Sequence, residues 1–312
     1  IDFTDANGAL LLEPQRTNYW TESEGSDITL NSPLGEFGFY TFNNTLESRI
    51  ITYAGTITFT FIVKKIDGTI PTITTSGGSG DLVVYVSGSS AAGLGGVLTG
   101  IGNGFYKYEL TTSASGLSTA IIRNNSGVDI YVSLIQYEEG SYATSYIPTQ
   151  GSAVTRIGDV CNNGGNDQVI NSTEGVLYAE MAVLSDDSTL KSITLSDGTG
   201  GNRVIINYSN ASNRLTADVR VGAVGQAFMQ TYSYTITNFL KIALKYKEND
   251  FALWVNGTEV ATDTSGSTFS PNTLNRLGLD NGASGELFYG NVKELQVFTT
   301  ALSDAELQAL TT

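Results

Sequence analysis

The sequence predicts an all-β chain of antiparallel sandwiches that ends in one short helix. Three observations carry this. Apolar and polar residues alternate over short runs, most cleanly at Ile57, Phe59, Phe61 and Val63. Turn formers fill much of the remainder: 35 of 312 residues are Gly, and Ser, Thr and Asn are abundant. Gly supplies positive φ, which Asn and Asp also tolerate. Turn signals recur roughly every 8–12 residues, the spacing of sandwiches and barrels.

Taken in order, Ala9 to Glu13 is an apolar segment stopped by Pro14, and a polar, acidic loop covers 21–27. Strands are expected at 37–42, 55–63, 82–86 and 105–110, with a Gly/Ser-rich loop over 88–104 that holds a poorly formed strand near Val97-Leu98. The turn at Asn124-Asn125-Ser126-Gly127 joins 120–123 to 128–137 as a hairpin. The segment 138–166 holds Pro148, several Gly and the single Cys161; its Tyr142, Tyr146 and Ile147 suit an ordered strap. Strands resume at 175–184, 192–196, 203–208, 214–219, 231–238, 241–246, 251–255, 258–261, 276–279 and 290–298. Asn256-Gly257 marks the clearest hairpin, because a type I′ turn needs positive φ at both central residues. Ser303-Asp304-Ala305-Glu306 is a capping box, and Leu302, Leu307 and Leu310 give the helix behind it an apolar side. The expected division is 1–157, a connector at 158–165, and 166–312.

Hydrophobic residues make up 40% of the chain and charged residues 15%, enough apolar content for two cores. Net charge is −15, from 31 acidic and 16 basic residues, which sets the surface against nucleic acid and anionic membranes. With one Cys there is no intrachain disulfide. The absence of His removes the imidazole base, the Ser-His-Asp triad and the commonest zinc ligand. The start at Ile1, without Met or a signal peptide, suggests a piece of something longer.

Two stretches carry resemblances. Phe288 to Phe298, followed by Ala301-Leu302-Ser303-Asp304-Ala305-Glu306-Leu307, resembles the C-terminal end of concanavalin A-like (laminin-G-like) lectin/glucanase domains. Trp254-Val255-Asn256-Gly257 lies at the expected distance upstream. Leu10 to Asn18 and Tyr137 to Thr149 resemble modules of phage tail-fibre and tail-spike proteins, which are carbohydrate-binding-module-like jelly rolls. The resemblances imply two jelly-roll sandwiches in tandem, in a virion tail appendage that touches a bacterial surface, as a homotrimer.

Sugar binding in such sandwiches needs exposed aromatic rings, on which pyranose C–H faces stack. The candidates are Tyr19, Trp20 and Tyr40 in the first unit and Tyr232, Tyr234 and Tyr289 in the second. Core packing is the commoner role of an aromatic, and is the reading for Trp254, Phe59 and Phe61. Asp197 and Asp280 stand in oxygen-rich turns that could hold calcium, although Asp and Asn more often bond their own backbone there. No other cofactor is expected. Glycoside hydrolysis needs two carboxylates flanking one bond; Glu174, Glu180, Glu259, Glu286 and Glu294 are available, but no clustered Glu-x-Asp-x-x-Glu motif is present. The reading is a non-enzymatic receptor-binding module that recognises a bacterial surface polysaccharide. The alternatives are a carboxylate-based depolymerase, a structural spacer or trimerisation module, and a secreted, extracellular bacterial adhesin.

Overall fold

A computed structural model describes residues 8–21, 40–42, 46–52, 55–75, 80–86, 96–114 and 117–312. Residues 37–39 of the expected 37–42 strand, most of the 21–27 loop and residues 88–95 lie outside the described residues. The chain divides into two compact units: Gln15–Ile157, and Ile1–Pro14 together with Gly158–Thr312. The first is thus inserted into the sequence of the second; we call them the inserted and the split sandwich.

The chain opens with β1 (Leu10–Leu12), and the inserted sandwich follows. Its strands are β2 (Arg16–Asn18), β3 (Tyr40–Phe42), β4 (Leu46–Thr52), β5 (Gly55–Lys65), β6 (Ile73–Thr74), β7 (Leu82–Val86), β8 (Val97–Gly102), β9 (Phe105–Ala114), β10 (Leu117–Asn124), β11 (Ile130–Glu139) and β12 (Val154–Arg156). One sheet has the order β3-β11-β5-β9-β8, the other β4-β10-β7-β6, and β2 pairs with β12. The alternation in β5 puts Ile57, Phe59, Phe61 and Val63 on one face, because successive strand side chains point to opposite sides. They meet Leu82, Val84 and Val86 of β7 and Ala120 and Ile122 of β10 in a single core. Each fully buried Val, Leu, Ile or Phe side chain among them contributes about 1.5–3 kcal/mol. β11 carries a bulge between Ser133 and Gln136, where Leu134 takes φ +51°.

The split sandwich is built from β13 (Glu174–Val183), β14 (Lys191–Ser196), β15 (Arg203–Tyr208), β16 (Leu215–Val221), β17 (Val224–Thr231), β18 (Leu240–Lys247), β19 (Phe251–Val255), β20 (Thr258–Asp263), β21 (Arg276–Gly278), β22 (Gly290–Phe298) and helix α1 (Asp304–Thr311). Its sheets run β1-β22-β13-β18-β19-β20 and β17-β16-β15-β14-β21, and one apolar core joins their inner faces. On the outer face of the six-stranded sheet, Leu307 of α1 covers Trp254, Val176, Tyr178, Ala243 and Ala252. Trp254 is a core residue, as read from its place in the hairpin.

Four expectations are corrected. The turn at 124–127 closes no hairpin: β10 and β11 lie in different sheets, so the chain crosses between the two sheets there. The sequence placed residues 1–14 with the first sandwich, but β1 pairs antiparallel with β22, Leu10 opposite Val292, and closes an edge of the split sandwich. The expected connector 158–165 is part of that sandwich too: the Leu277 amide donates to the Gly164 carbonyl (2.5 Å) and the Leu279 amide to that of Cys161 (2.8 Å). The strand expected at 231–238 lies earlier, at β17, and residues 232–239 are not strand. A tight turn at Gly222 and Ala223 (φ +56° and +67°) sets that hairpin. Ala seldom takes such a φ, so Gly222 alone signals only half of this turn in the sequence.

Candidate functional site

In the inserted sandwich, Arg16–Trp20 and Tyr137–Thr149 are neighbours, and Asn18 joins them. Its buried amide donates to the carbonyls of Ile135 (3.0 Å) and Ile147 (2.9 Å). Its carbonyl accepts from the backbone of Trp20 and Tyr137, both at 3.0 Å. Gln136 accepts from the Ile147 amide (2.7 Å) and donates to Glu138 (2.8 Å). The Glu138 carboxylate also takes the Thr144 amide (2.8 Å) and hydroxyl (2.7 Å), with Arg16 3.7 Å away. Burial pushes the Glu138 carboxyl up; the bonds from Thr144 and Gln136 and the Arg16 charge pull it back, and it stays above the usual range. Trp20 is 0% exposed and stacked on Phe59, with centroids 5.6 Å apart. It cannot stack on a sugar. Tyr19 is half-buried, and its hydroxyl donates to Glu139 (2.5 Å). The stretches with the distinctive wording hold the chain to itself. Tyr40 lies on β3, with its side chain outside the described residues.

Beside this latch is a cavity of about 200 Å³, lined by Thr60, Ile62, Lys107, Leu134, Gln136 and Tyr146 among others. Ligand pockets for drug-sized molecules run to roughly 300–1,000 Å³, so this one suits at most a single small group. Gln136 is already committed to the latch, and Lys107 to Glu109 (2.9 Å).

The outer face of β14–β17 has a different character. Val204, Ile206, Leu215, Ala217, Val219, Ala227 and Met229 point into the core, so their neighbours along each strand point out. One cross-strand row runs Phe228, Asp218, Ile205, Thr194. The next runs Arg220, Arg203, Ser196, Arg276. Asp218 accepts from Arg220 Nε (2.6 Å) and lies 3.3 Å from an Arg203 amino group. Arg276 pairs with the buried Asp280. The segment after β21 covers the β14 side: Arg203 donates to the Asn281 carbonyl (3.1 Å), and the Ser192 hydroxyl donates to Glu286 (3.1 Å). Gly282 lies so close there that a Cβ would sit 2.8 Å from the Thr199 carbonyl oxygen. Phe228, on the β17 side, remains 55% exposed.

Of the aromatics predicted in this unit, Tyr232 is 54% exposed, with the Arg214 guanidinium 5.8 Å from its ring centroid. Tyr234 is packed on the core, its hydroxyl donating to the Val255 carbonyl (3.3 Å), and Tyr289 is half-buried. Tyr232 and Tyr234 do not share a strand. The Asp197 carboxylate is taken up by the Thr199 amide and hydroxyl and by Asn202 (2.9, 2.6 and 2.8 Å). Burial raises its pKa, but these bonds outweigh that and leave it below the usual carboxylate range. Asp280 accepts from the Gly282 amide (2.7 Å) besides Arg276. Both candidates are occupied by turn chemistry and a salt bridge. Of the five glutamates, Glu180 and Glu294 face each other directly across β13 and β22, with Lys293 3.8 Å from Glu180. The sequence missed Phe228 and the arginine row. Their signal, alternation along β16 and β17, is readable only once the turn at 222–223 sets the register.

The family comparison falls within the split sandwich. Residues 178–308 match the family model of the concanavalin A-like lectin/glucanases superfamily. No curated protein sequence matches the chain. Among solved structures, the CBM40 of the Ruminococcus gnavus IT-sialidase bound to α2,3-sialyllactose is 21% identical over 49% of this chain and 95% of its own, with a TM-score of 0.40. A native heptameric SAP-like pentraxin from Limulus polyphemus is 10% identical over 48% of this chain and 74% of its own, with a TM-score of 0.39. Domains LG4-5 of the mouse laminin alpha1 chain are 8% identical over 85% of this chain and 92% of theirs, with a TM-score of 0.33. The two-sheet architecture and the matched region agree: the split sandwich has the concanavalin A-like fold.

Proposed function

We propose that this chain is a non-enzymatic, glycan-binding part of a phage tail appendage that attaches to a bacterial surface polysaccharide. The observation that carries glycan binding is the outer face of β14–β17. There an exposed aromatic ring, Phe228, stands beside fixed hydrogen-bonding groups on a rigid sheet. A sugar needs both: an apolar face for its C–H groups and donors and acceptors for its hydroxyls. The lectin/glucanase match over 178–308 supports the same reading. The tail setting and a homotrimer rest on the wording of Leu10–Asn18 and Tyr137–Thr149. Three copies would strengthen weak single-site binding through effective concentration. The test is binding of the full chain to intact bacteria, with purified surface polysaccharide as competitor. Saturable binding that the polysaccharide abolishes is expected; an absence of binding to cells and to polysaccharide alike sinks the proposal.

One observation favours a second reading, a carboxylate-based depolymerase. Glu180 and Glu294 are directly opposed on adjacent strands. Residues so opposed have Cβ atoms about 4.5–5.5 Å apart, which sets the two carboxylates side by side on one face of the sheet, the kind of pair a glycosidase uses. Release of reducing ends from the polysaccharide, lost in Glu180→Gln and Glu294→Gln, would establish it.

A further inference from the structure

The split sandwich concentrates positive charge where the chain as a whole is strongly negative. All four arginines after Arg156, namely Arg203, Arg214, Arg220 and Arg276, send their guanidinium groups to the outer face of β14–β17. The partner carboxylates sit beneath them. Asp280 is fully buried and the Asp218 side chain is 11% exposed, whereas that of Arg220 is 44% exposed. Arg220 uses Nε on Asp218, so its terminal amino groups, at the exposed end of the fork, are not taken by that pair. Arg214 is held by Gln230 (2.9 and 3.2 Å) and approaches the exposed ring of Tyr232. On the β16–β17 side of this face a ligand meets Arg220 and two aromatic rings, Phe228 and Tyr232, with Asp218 set below them; Arg203 and Arg276 are largely buried, and Glu286 lies on the β14 side. With a net charge of −15, the rest of the surface repels an anion, so the face stands out by contrast.

From this we infer that the outer face of β14–β17 is a subsite for an acidic sugar, one carrying a carboxylate or a phosphate. The inference deepens the proposed glycan binding and rests on it. Arg220 receives the acidic group through its planar fork, which matches the oxygen spacing of a carboxylate or phosphate and which a lysine cannot copy. Phe228, one strand over and opposite Asp218, takes the C–H face of the same or the adjoining ring. Asp218 holds the Arg220 side chain in place from below and sets the direction of the fork.

The test uses the full chain on an array of hexuronate-bearing and phosphorylated oligosaccharides, each beside its carboxyl-reduced or dephosphorylated counterpart, with neutral oligosaccharides included. Calorimetry follows on whichever acidic oligosaccharide binds. The expected result is preference for an acidic form over its neutralised counterpart. Arg220→Gln should weaken the acidic form about tenfold or more and leave the neutralised form unchanged. Arg220→Lys keeps the charge without the fork and should recover only part of that loss. Phe228→Ala should weaken both forms. Equal binding of acidic and neutralised forms, or Arg220 variants that bind like the parent, overturns the inference while glycan binding stands. Binding to no oligosaccharide overturns both.

Discussion

Asn18 shows how one polar side chain determines what a neighbouring aromatic does. Fully buried, it makes four hydrogen bonds, two donated and two accepted, and all four partners are backbone groups. By fixing the Trp20 amide it turns the indole inward onto Phe59. The sequence shows an aromatic before a polar loop, which is the look of a ligand contact. Which way the ring turns depends on a bond to an amide two residues away and on strand β11, more than a hundred residues on, so local pattern could not reveal it. Each buried backbone group left unpaired costs about 1–3 kcal/mol. Asn18→Ala is therefore expected to destabilise the inserted sandwich by about 3 kcal/mol or more. Asn18→Asp should cost at least as much at neutral pH, because a carboxylate oxygen would face the carbonyls of Ile135 and Ile147. Each sandwich has one tryptophan, Trp20 or Trp254. Urea denaturation in a Trp254→Phe background, read by Trp20 fluorescence, measures both; a midpoint unmoved by Asn18→Ala would remove Asn18 from this role.

Among the elements, those with a local chemical signal were legible and those set by distant partners were not. The hairpin β19–β20 turns at Asn256 and Gly257, both at positive φ (+47° and +77°), as Asn-Gly demands. The helix start was equally readable: the Ser303 amide and hydroxyl both donate to Glu306 (2.8 and 2.6 Å). The short strands β1, β2 and β12, three residues each, carry too little alternation to stand out. The bulge at Leu134 puts a branched residue at positive φ, against its preference. The same logic separates the candidate site into legible and illegible parts. Tyr232 is an exposed aromatic as expected, whereas the arginine row exists only across four strands brought into register by the fold. Helix α1 covers Trp254 through Leu307, so Leu307→Ala should open a cavity there and cost about 3 kcal/mol. It should also shift Trp254 emission to the red. Retention of parental emission and stability would mean that the helix only rests on the sheet.

At the scale of the whole chain, the ends of the inserted segment explain why its separate evolution or excision is physically open. β2 and β12 are antiparallel neighbours, with Arg16 opposite Arg156 and Thr17 opposite Thr155, so residues 16 and 156 need no further partner to be held together. The split sandwich closes the gap from its own side. The Glu13 amide donates to the Asp159 carboxylate (2.8 Å), and the Asp159 amide donates to the Glu13 carbonyl (2.9 Å). Each sandwich has its own apolar core, and a short closed gap carries little loop entropy. Residues 15–157 expressed alone are therefore expected to fold with a single cooperative urea transition and strand-rich circular dichroism. A chain in which Pro14 is joined to Gly158 through a few Gly and Ser residues should fold as well, because β1 still reaches β22. Omitting residues 1–14 from that second chain should lower its midpoint, since the β22 edge loses its pairing and Leu12 leaves the core. If the joined chain fails to fold while the version without residues 1–14 succeeds, β1 is not part of the split sandwich, and the insertion topology is wrong.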